Sequence, residues 1–261
     1  MYAPEAWSVR EFPDVVLLSS RRVSSSHAER VARAVACALS RRGITGGARV
    51  RLKTGDCERG PMVVQVNFRV RDAPARVMAV TAGIGDLTPA LARLDRQIES
   101  LSAPWRPRPW PDLTRRILTT GLDTLVARRK AVSPQRLTPM QAAEVMDAMD
   151  YDAHLFTDVE TGEDAVVYRA GPSGLRLARQ RQVFPPGWSL SSNLSGPPLP
   201  LVVNPRRAPV LTEAAAVRRM REHRSRSLFF TDPASGRGEL LYPRYDGNLG
   251  LIAPVGGGDS E

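Results

Sequence analysis

Apolar positions set two different periods along the first hundred residues. Val15 to Ser19 is a short apolar run that predicts a strand. Ser24-Ser25-Ser26 follows, and Ser26 with Glu29 has the spacing at which a hydroxyl and a carboxylate satisfy each other's helix-start amides. Ala28, Val31, Ala32, Val35, Ala36 and Leu39 then recur at helical spacing, and Gly43 supplies the stop. The period next falls to two. Arg49-Val50-Arg51-Leu52-Lys53 puts two apolar residues on one face and three cations on the other. Val64, Val66, Phe68 and Val70 share a face opposite Gln65, Asn67, Arg69 and Arg71, and Asp72-Ala73-Pro74 connects tightly into a strand from Arg76 to Thr81. A second helix has Pro89 in its first turn and an apolar stripe of Leu87, Leu91, Leu94, Ile98 and Leu101.

The order is β-α-β-β-β-α over 13–103. It predicts an α+β domain: a four-stranded sheet, hairpin-linked through its last three strands, with two helices on one face. The other face then carries Arg49, Arg51, Lys53, Arg69 and Arg71 without an acid among them. Residues 104–125 begin Pro-Trp-Arg-Pro-Arg-Pro-Trp-Pro, a stiff extended linker. Trp105 and Trp110 within it are placed to stack on bases or to pack against a domain.

The remaining chain contains one module twice. Leu137-Thr138, a helix pattern, Phe156-Thr157-Asp158, Gly162 and Tyr168 recur as Leu211-Thr212, a helix pattern, Phe230-Thr231-Asp232, Gly236 and Tyr242, all at an offset of 74 residues. The repeats span 126–180 and 202–254, separated by a Pro-rich linker at 181–201. Each is too small to bury much core alone, so two small tandem α+β repeats forming an intramolecular pseudo-dimer are expected. In the repeat helix Glu144, Asp147, Asp150 and Asp152 align with Arg218, Arg221, Arg224 and Arg226. An acidic copy and a basic copy favour mixed pairing and disfavour pairing of like copies. The expected pairing residues are Glu144, Asp147, Asp150, Phe156 and Tyr168 on one side, and Arg218, Arg221, Arg224, Phe230 and Tyr242 on the other.

The net charge is +10, with a pI of about 10.6, and only Lys53 and Lys130 are lysine. Residues 1–103 hold 16 basic and 10 acidic residues, the first repeat 7 and 8, and the second 9 and 5. That balance points to a polyanion partner, nucleic acid before membrane, touched by the first domain and the last repeat. No apolar run approaches the length of a membrane span, and no signal pattern opens the chain, so a cytoplasmic protein is expected. Cys37 and Cys57 match no zinc spacing and read as buried thiols. His27, His154 and His223 lie in separate segments with no metal partner, and no nucleophile elbow is present. The chain is therefore expected not to be an enzyme and to carry no cofactor or metal.

The repeat resembles the C-terminal domain of long bacterial ribosome hibernation-promoting factors. Arg128-Arg129-Lys130, Leu137-Thr138-Pro139-Met140, Leu155-Phe156 and Val166-Val167-Tyr168-Arg169 carry the likeness in the first copy. Phe229-Phe230, Tyr242 and Asp246-Gly247-Asn248-Leu249-Gly250-Leu251-Ile252 carry it in the second. The first copy departs at Gly171 to Arg176, where the family's ending is lost. The N-terminal region is similar to the family's ribosome-binding domain in element order, and Leu94-Asp95-Arg96-Gln97-Ile98 echoes its last helix. Duplication of the C-terminal domain is as in actinobacterial hypoxia and dormancy ribosome factors.

The resemblance implies an N-terminal domain that binds 16S rRNA in the decoding channel of the small subunit, on 70S ribosomes. There it blocks mRNA and tRNA, inhibits translation and protects ribosomes under stress. It leaves open contact of the repeats with the large subunit. Internal pairing of the repeats implies a monomer acting on single ribosomes without joining them, where the family's usual single C-terminal domain forms a homodimer. Candidate rRNA contacts are Arg21, Arg22, Arg30, Arg33, Arg41, Arg51, Lys53, Arg69, Arg71, Arg76, Arg93 and Arg96. Arginine suits them because its planar fork grips phosphate with two bonds. Two other readings fit the residues: a protein-interaction regulator using the duplicated module, and a general structured-RNA binder.

Overall fold

A computed structural model of the chain describes residues 5–9, 12–19, 23–54, 62–83, 85–112, 118, 124–170, 174–184 and 201–255. It divides into two compact units. The first holds residues 1–106 with 113–116 and 148–150, and the second holds the rest.

The first unit is α+β. Strands β1 (Glu5–Val9), β2 (Phe12–Ser19), β3 (Ala48–Thr54), β4 (Met62–Val70) and β5 (Ala73–Thr81) lie in that order across one sheet. Helix α1 (Ser25–Arg41) makes the crossover between the parallel pair β2 and β3, and α2 (Thr88–Ser102) follows β5. The other pairings are antiparallel. The sheet thus has five strands where the apolar pattern predicts four. Glu-Ala-Trp-Ser-Val alternates over too few residues to announce a strand, and pairing along the edge of β2 supplies it. The first helix is capped two residues earlier than its Ser/Glu spacing suggests: the Ser24 hydroxyl accepts from the His27 amide.

One face of this sheet and both helices enclose a single core. Leu17, Val50, Leu52, Val64, Val66, Val31, Ala32, Leu94 and Ile98 are among its buried residues. Each fully buried Leu or Val contributes roughly 1.5–3 kcal/mol. Cys37 faces solvent from α1 instead of being buried, because Ala36 and Ala38 take the core positions on either side. Cys57 lies outside the described residues.

The second unit is built from the repeats. The first supplies β6 (Val126–Val132), β7 (Arg136–Leu137), α3 (Pro139–Ala148), β8 (Ala153–Asp158), β9 (Asp164–Arg169) and β10 (Leu175–Arg179). The second supplies β11 (Leu201–Val203), α4 (Glu213–His223), β12 (Leu228–Thr231), β13 (Gly238–Pro243) and β14 (Leu249–Pro254). The 74-residue offset holds in three dimensions. Phe156 and Phe230 are both fully buried, and Gly162 and Gly236 both take positive φ in their hairpins. Asp150 and Arg224 both end their helices in the left-handed region. Thr138 and Gln141 form a reciprocal capping box before α3, and Thr212 caps α4.

The first strand of each repeat does not pair with its own repeat. The basic strand β6 lies parallel to β14 in the second repeat's sheet, β12-β13-β14-β6. Its counterpart β11 lies parallel to β10 in the first repeat's sheet, β11-β10-β9-β8-β7. Each sheet is therefore completed by a strand from the other copy. Between them sits a shared cluster of Leu155, Val166, Ala178, Phe229 and Leu240. No described helix is long and apolar enough to cross a membrane.

Candidate nucleic-acid interface

Strand alternation separates the first unit's sheet into an apolar face under the helices and an outer face. On β3, Ala48, Val50 and Leu52 are buried while Arg49, Arg51 and Lys53 point outward, at exposed or half-buried positions. On β4, Gln65, Asn67 and Arg69 share the outer face, and on β5 Arg76 and Met78 do. Register then sets the rows. Arg49, Asn67 and Arg76 stand side by side across three strands, and Arg51, Gln65 and Met78 form the next row.

The neutral side chains brace this face. Gln65 Nε2 donates to Asn67 Oδ1 at 3.2 Å, and Asn67 Nδ2 donates to the Arg49 carbonyl at 3.3 Å. These bonds use amide groups and leave the cationic heads of Arg49 and Arg51 to other partners. Strands β3, β4 and β5 contain no acidic residue. The face carries Arg49, Arg51, Lys53, Arg69 and Arg76; the Arg69 guanidinium donates to the Asp72 carbonyl in the β4–β5 turn, and Arg76 Nε is buried. Such a surface suits phosphate and 2′-hydroxyl contact with structured RNA, which is recognised by shape and backbone.

The other candidate residues fall elsewhere. Arg30, Arg33 and Arg41 are exposed on α1, on the helical layer. Arg96, exposed on α2, donates to the Ala92 carbonyl. Arg71 departs from the face that strand alternation assigns to it. The strand ends at Val70, Arg71 sits in the β4–β5 turn at φ 48°, and its guanidinium donates to the Ser102 carbonyl at the end of α2. Arg93 is 7% exposed and grips Asp150, with Nη2 to Oδ1 at 2.7 Å and Nε to Oδ2 at 3.3 Å. Asp150 also accepts from the Met78 amide at 2.9 Å. Arg93 lies outside the helix's apolar stripe, so the sequence gave no sign of this buried pair. Arg21 and Arg22 lie outside the described residues.

The residues expected to pair the repeats divide similarly. Phe156 and Phe230 are both fully buried, Phe230 in the second repeat's helix-side core, and Tyr168 packs on the shared cluster. The Tyr242 ring lies against Gly250, with Lys130 Nζ of the exchanged strand 5.3 Å from its centroid. The ion pairs of the buried helix acids run to other elements. Buried Asp147 is paired with Arg169 of its own repeat, and Asp150 with Arg93. Arg221 donates to the Thr124 carbonyl, while Glu144, Arg218 and Arg224 are exposed. Across the repeats, charged contacts run instead from Arg237 to Asp164 and from Arg129 to Glu213. Trp110 packs under the Arg226 guanidinium, 5.0 Å from its ring centroid. Among the described residues no group of three His, Cys, Asp or Glu is placed to hold a metal.

Residues 122–177 match the family model described as Sigma 54 modulation/S30EA ribosomal protein C terminus. That span covers the first repeat as far as the middle of β10. The chain is 65% identical over 259 residues to a dormancy associated translation inhibitor of Mycobacterium tuberculosis, covering 99% of this chain and 95% of the relative. The same figures hold for the protein in strains CDC 1551 / Oshkosh and ATCC 25618 / H37Rv. Near-complete coverage on both sides, with the S30EA-type module in the first repeat, leads to one conclusion: the chain belongs to the family of long-form ribosome hibernation factors.

Proposed function

We propose that this protein inhibits translation by binding the ribosome, with the outer sheet face of its first unit on 16S rRNA in the decoding channel of the small subunit. There it excludes mRNA and tRNA, and it protects the ribosome in stressed or dormant cells. The observation that carries this reading is the acid-free strand set β3–β5 with five outward cations. The relative's name, a translation inhibitor of dormancy, supports inhibition as the outcome. The repeats, each completed by a strand of the other, support action on single ribosomes without joining them.

Co-sedimentation with purified small subunits tests this, using the full chain with and without bound mRNA and tRNA. Binding is expected to be lost when the channel is filled. Arg49→Ala, Arg51→Ala and Arg76→Ala together should weaken binding and lower the salt dependence by roughly one unit of log–log slope per phosphate contact removed. Binding that bulk duplex RNA competes away as well as small subunits do would overturn the reading in favour of a general RNA binder. A saturating ribosome-dimer peak in a sucrose gradient would overturn the single-ribosome part.

A further inference from the structure

The seam between the repeats is built from equivalent positions. Leu155 and Phe229, Val166 and Leu240, and Ala178 and Ile252 are three such pairs, and all six residues meet in one cluster. A seam of that kind brings some position against its own equivalent, as a two-fold interface does. Here that position is 164 and 238. Asp164 is 3% exposed, and its carboxylate accepts from the Gly238 amide at 2.9 Å. Arg237 completes the arrangement with Nε and Nη2 donating to the two carboxylate oxygens at 2.8 and 3.0 Å.

Neither half of this arrangement tolerates a copy of itself. A Cβ on Gly238 would stand 2.7 Å from the Asp164 Cβ, and 2.7 and 2.9 Å from atoms of the Phe229 ring. Two first repeats would therefore bring two aspartates into one crowded, buried spot. Arg237 would be replaced by Glu163, which in this structure bonds Arg181 and the amides of 181 and 182. Two second repeats would leave two arginines with no carboxylate and two glycines with no side chain between them. Size follows the same rule: the large Phe229 ring lies over Gly238, and its equivalent in the first repeat is the smaller Leu155.

We propose that Asp164, Arg237 and Gly238 are the specificity determinant of the seam, restricting it to unlike repeats and excluding a second copy of this chain. A buried carboxylate without its cation, or two like charges there, selects against the wrong partner more strongly than exposed charges can. This concerns the free protein, so its test is separate from ribosome binding.

Three full-length variants test it by thermal unfolding and light scattering. The first gives the second repeat the first repeat's residues (Phe229→Leu, Arg237→Glu, Gly238→Asp). The second makes the reverse change (Leu155→Phe, Glu163→Arg, Asp164→Gly). The third carries all six substitutions and so restores one aspartate, one arginine and one glycine with sides exchanged. Each half-exchange is expected to lower Tm by about 10 °C or to fail to fold. The complete exchange is expected to remain monomeric and recover to within about 3 °C of the parent, the remainder reflecting the lost Glu163–Arg181 contacts. Half-exchanges as stable as the parent, or a complete exchange no better than either half, would overturn the proposal.

Discussion

The two repeats share a backbone and differ in what they bury beneath their helices. In the first, polar groups sit inside: Asp147 with Arg169, and Arg179 with Asp158 at 2.7 Å and with Glu160. Arg179 and Asp158 have fully buried side chains. In the second, the equivalents of Arg169, Arg179 and Glu160 are Pro243, Ala253 and Ala234, and that of His154 is Leu228. Its helix-side core is Ala216, Met220, Phe230, Leu241, Leu249 and Leu251. So Asp147 became Arg221 where its counterion became proline. The acid-to-arginine difference in the helix is thus, at this position, a buried pair present in one copy and absent from the other. Charge that looks like an interface in an alignment can be an internal ion pair in one copy and a half-buried backbone contact in the other.

The sharpest way to break the comparison is to make one substitution at both equivalent sites. Asp158→Ala removes the buried one of the two carboxylates that pair with the Arg179 guanidinium, leaving Glu160 and the Val183 carbonyl, and is expected to cost about 3 kcal/mol in urea unfolding. Asp232→Ala removes turn bonds from the Ser235 amide and hydroxyl and the Ala234 amide, near solvent, and is expected to cost about 1 kcal/mol. Equal costs at the two sites would show that the buried pair gives the first repeat no special dependence on charge.

His154 offers a second contrast, in pH. Its ring stacks between Tyr151 and Phe156, with centroids 6.0 and 6.5 Å away, and burial lowers its pKa from 6.5 to about 4. The unfolded chain therefore binds more protons than the folded one between these values. The neutral ring's contribution is fully present above pH 6.5 and is lost as pH falls towards 4, by up to about 3 kcal/mol. His154→Leu installs the second repeat's residue, and its stability advantage over the parent should grow across that interval. A difference that stays constant with pH would show that His154 titrates alike in the folded and unfolded chain, and that burial does not lower its pKa.

The elements of the first unit were legible because each has a clear period: 3.6 in α1 and α2, two in β3 and β4. The outer basic face follows from that alternation alone, with Arg71 excepted because a turn residue at positive φ no longer obeys it. Glu5–Val9 was hidden because an edge strand draws its order from its neighbour. The duplication was legible at every anchor, from Leu137 to Tyr242. The exchange of β6 and β11 was not, since an apolar pattern shows which face a strand buries and carries no label for whose sheet it joins. Likewise Asp164 and Arg237 look like ordinary surface charges until the register brings 164 against 238.

The smallest expected effect sharpens the comparison most economically. If mixed pairing rested on helix charge, reversing one exposed member would weaken it and reversing both would restore it. Glu144 and Arg218 occupy equivalent positions, both at the solvent-facing side of their helices. Exposed charges interact through water and counterions, and surface substitutions usually shift stability within about 0.5 kcal/mol. Glu144→Arg and Arg218→Glu are therefore each expected to leave Tm unchanged within about 2 °C, and their combination to be additive. A clear loss in each single variant with recovery in the double would mean that the helices communicate after all, and would move the source of mixed pairing from the buried Asp164 seam to the surface.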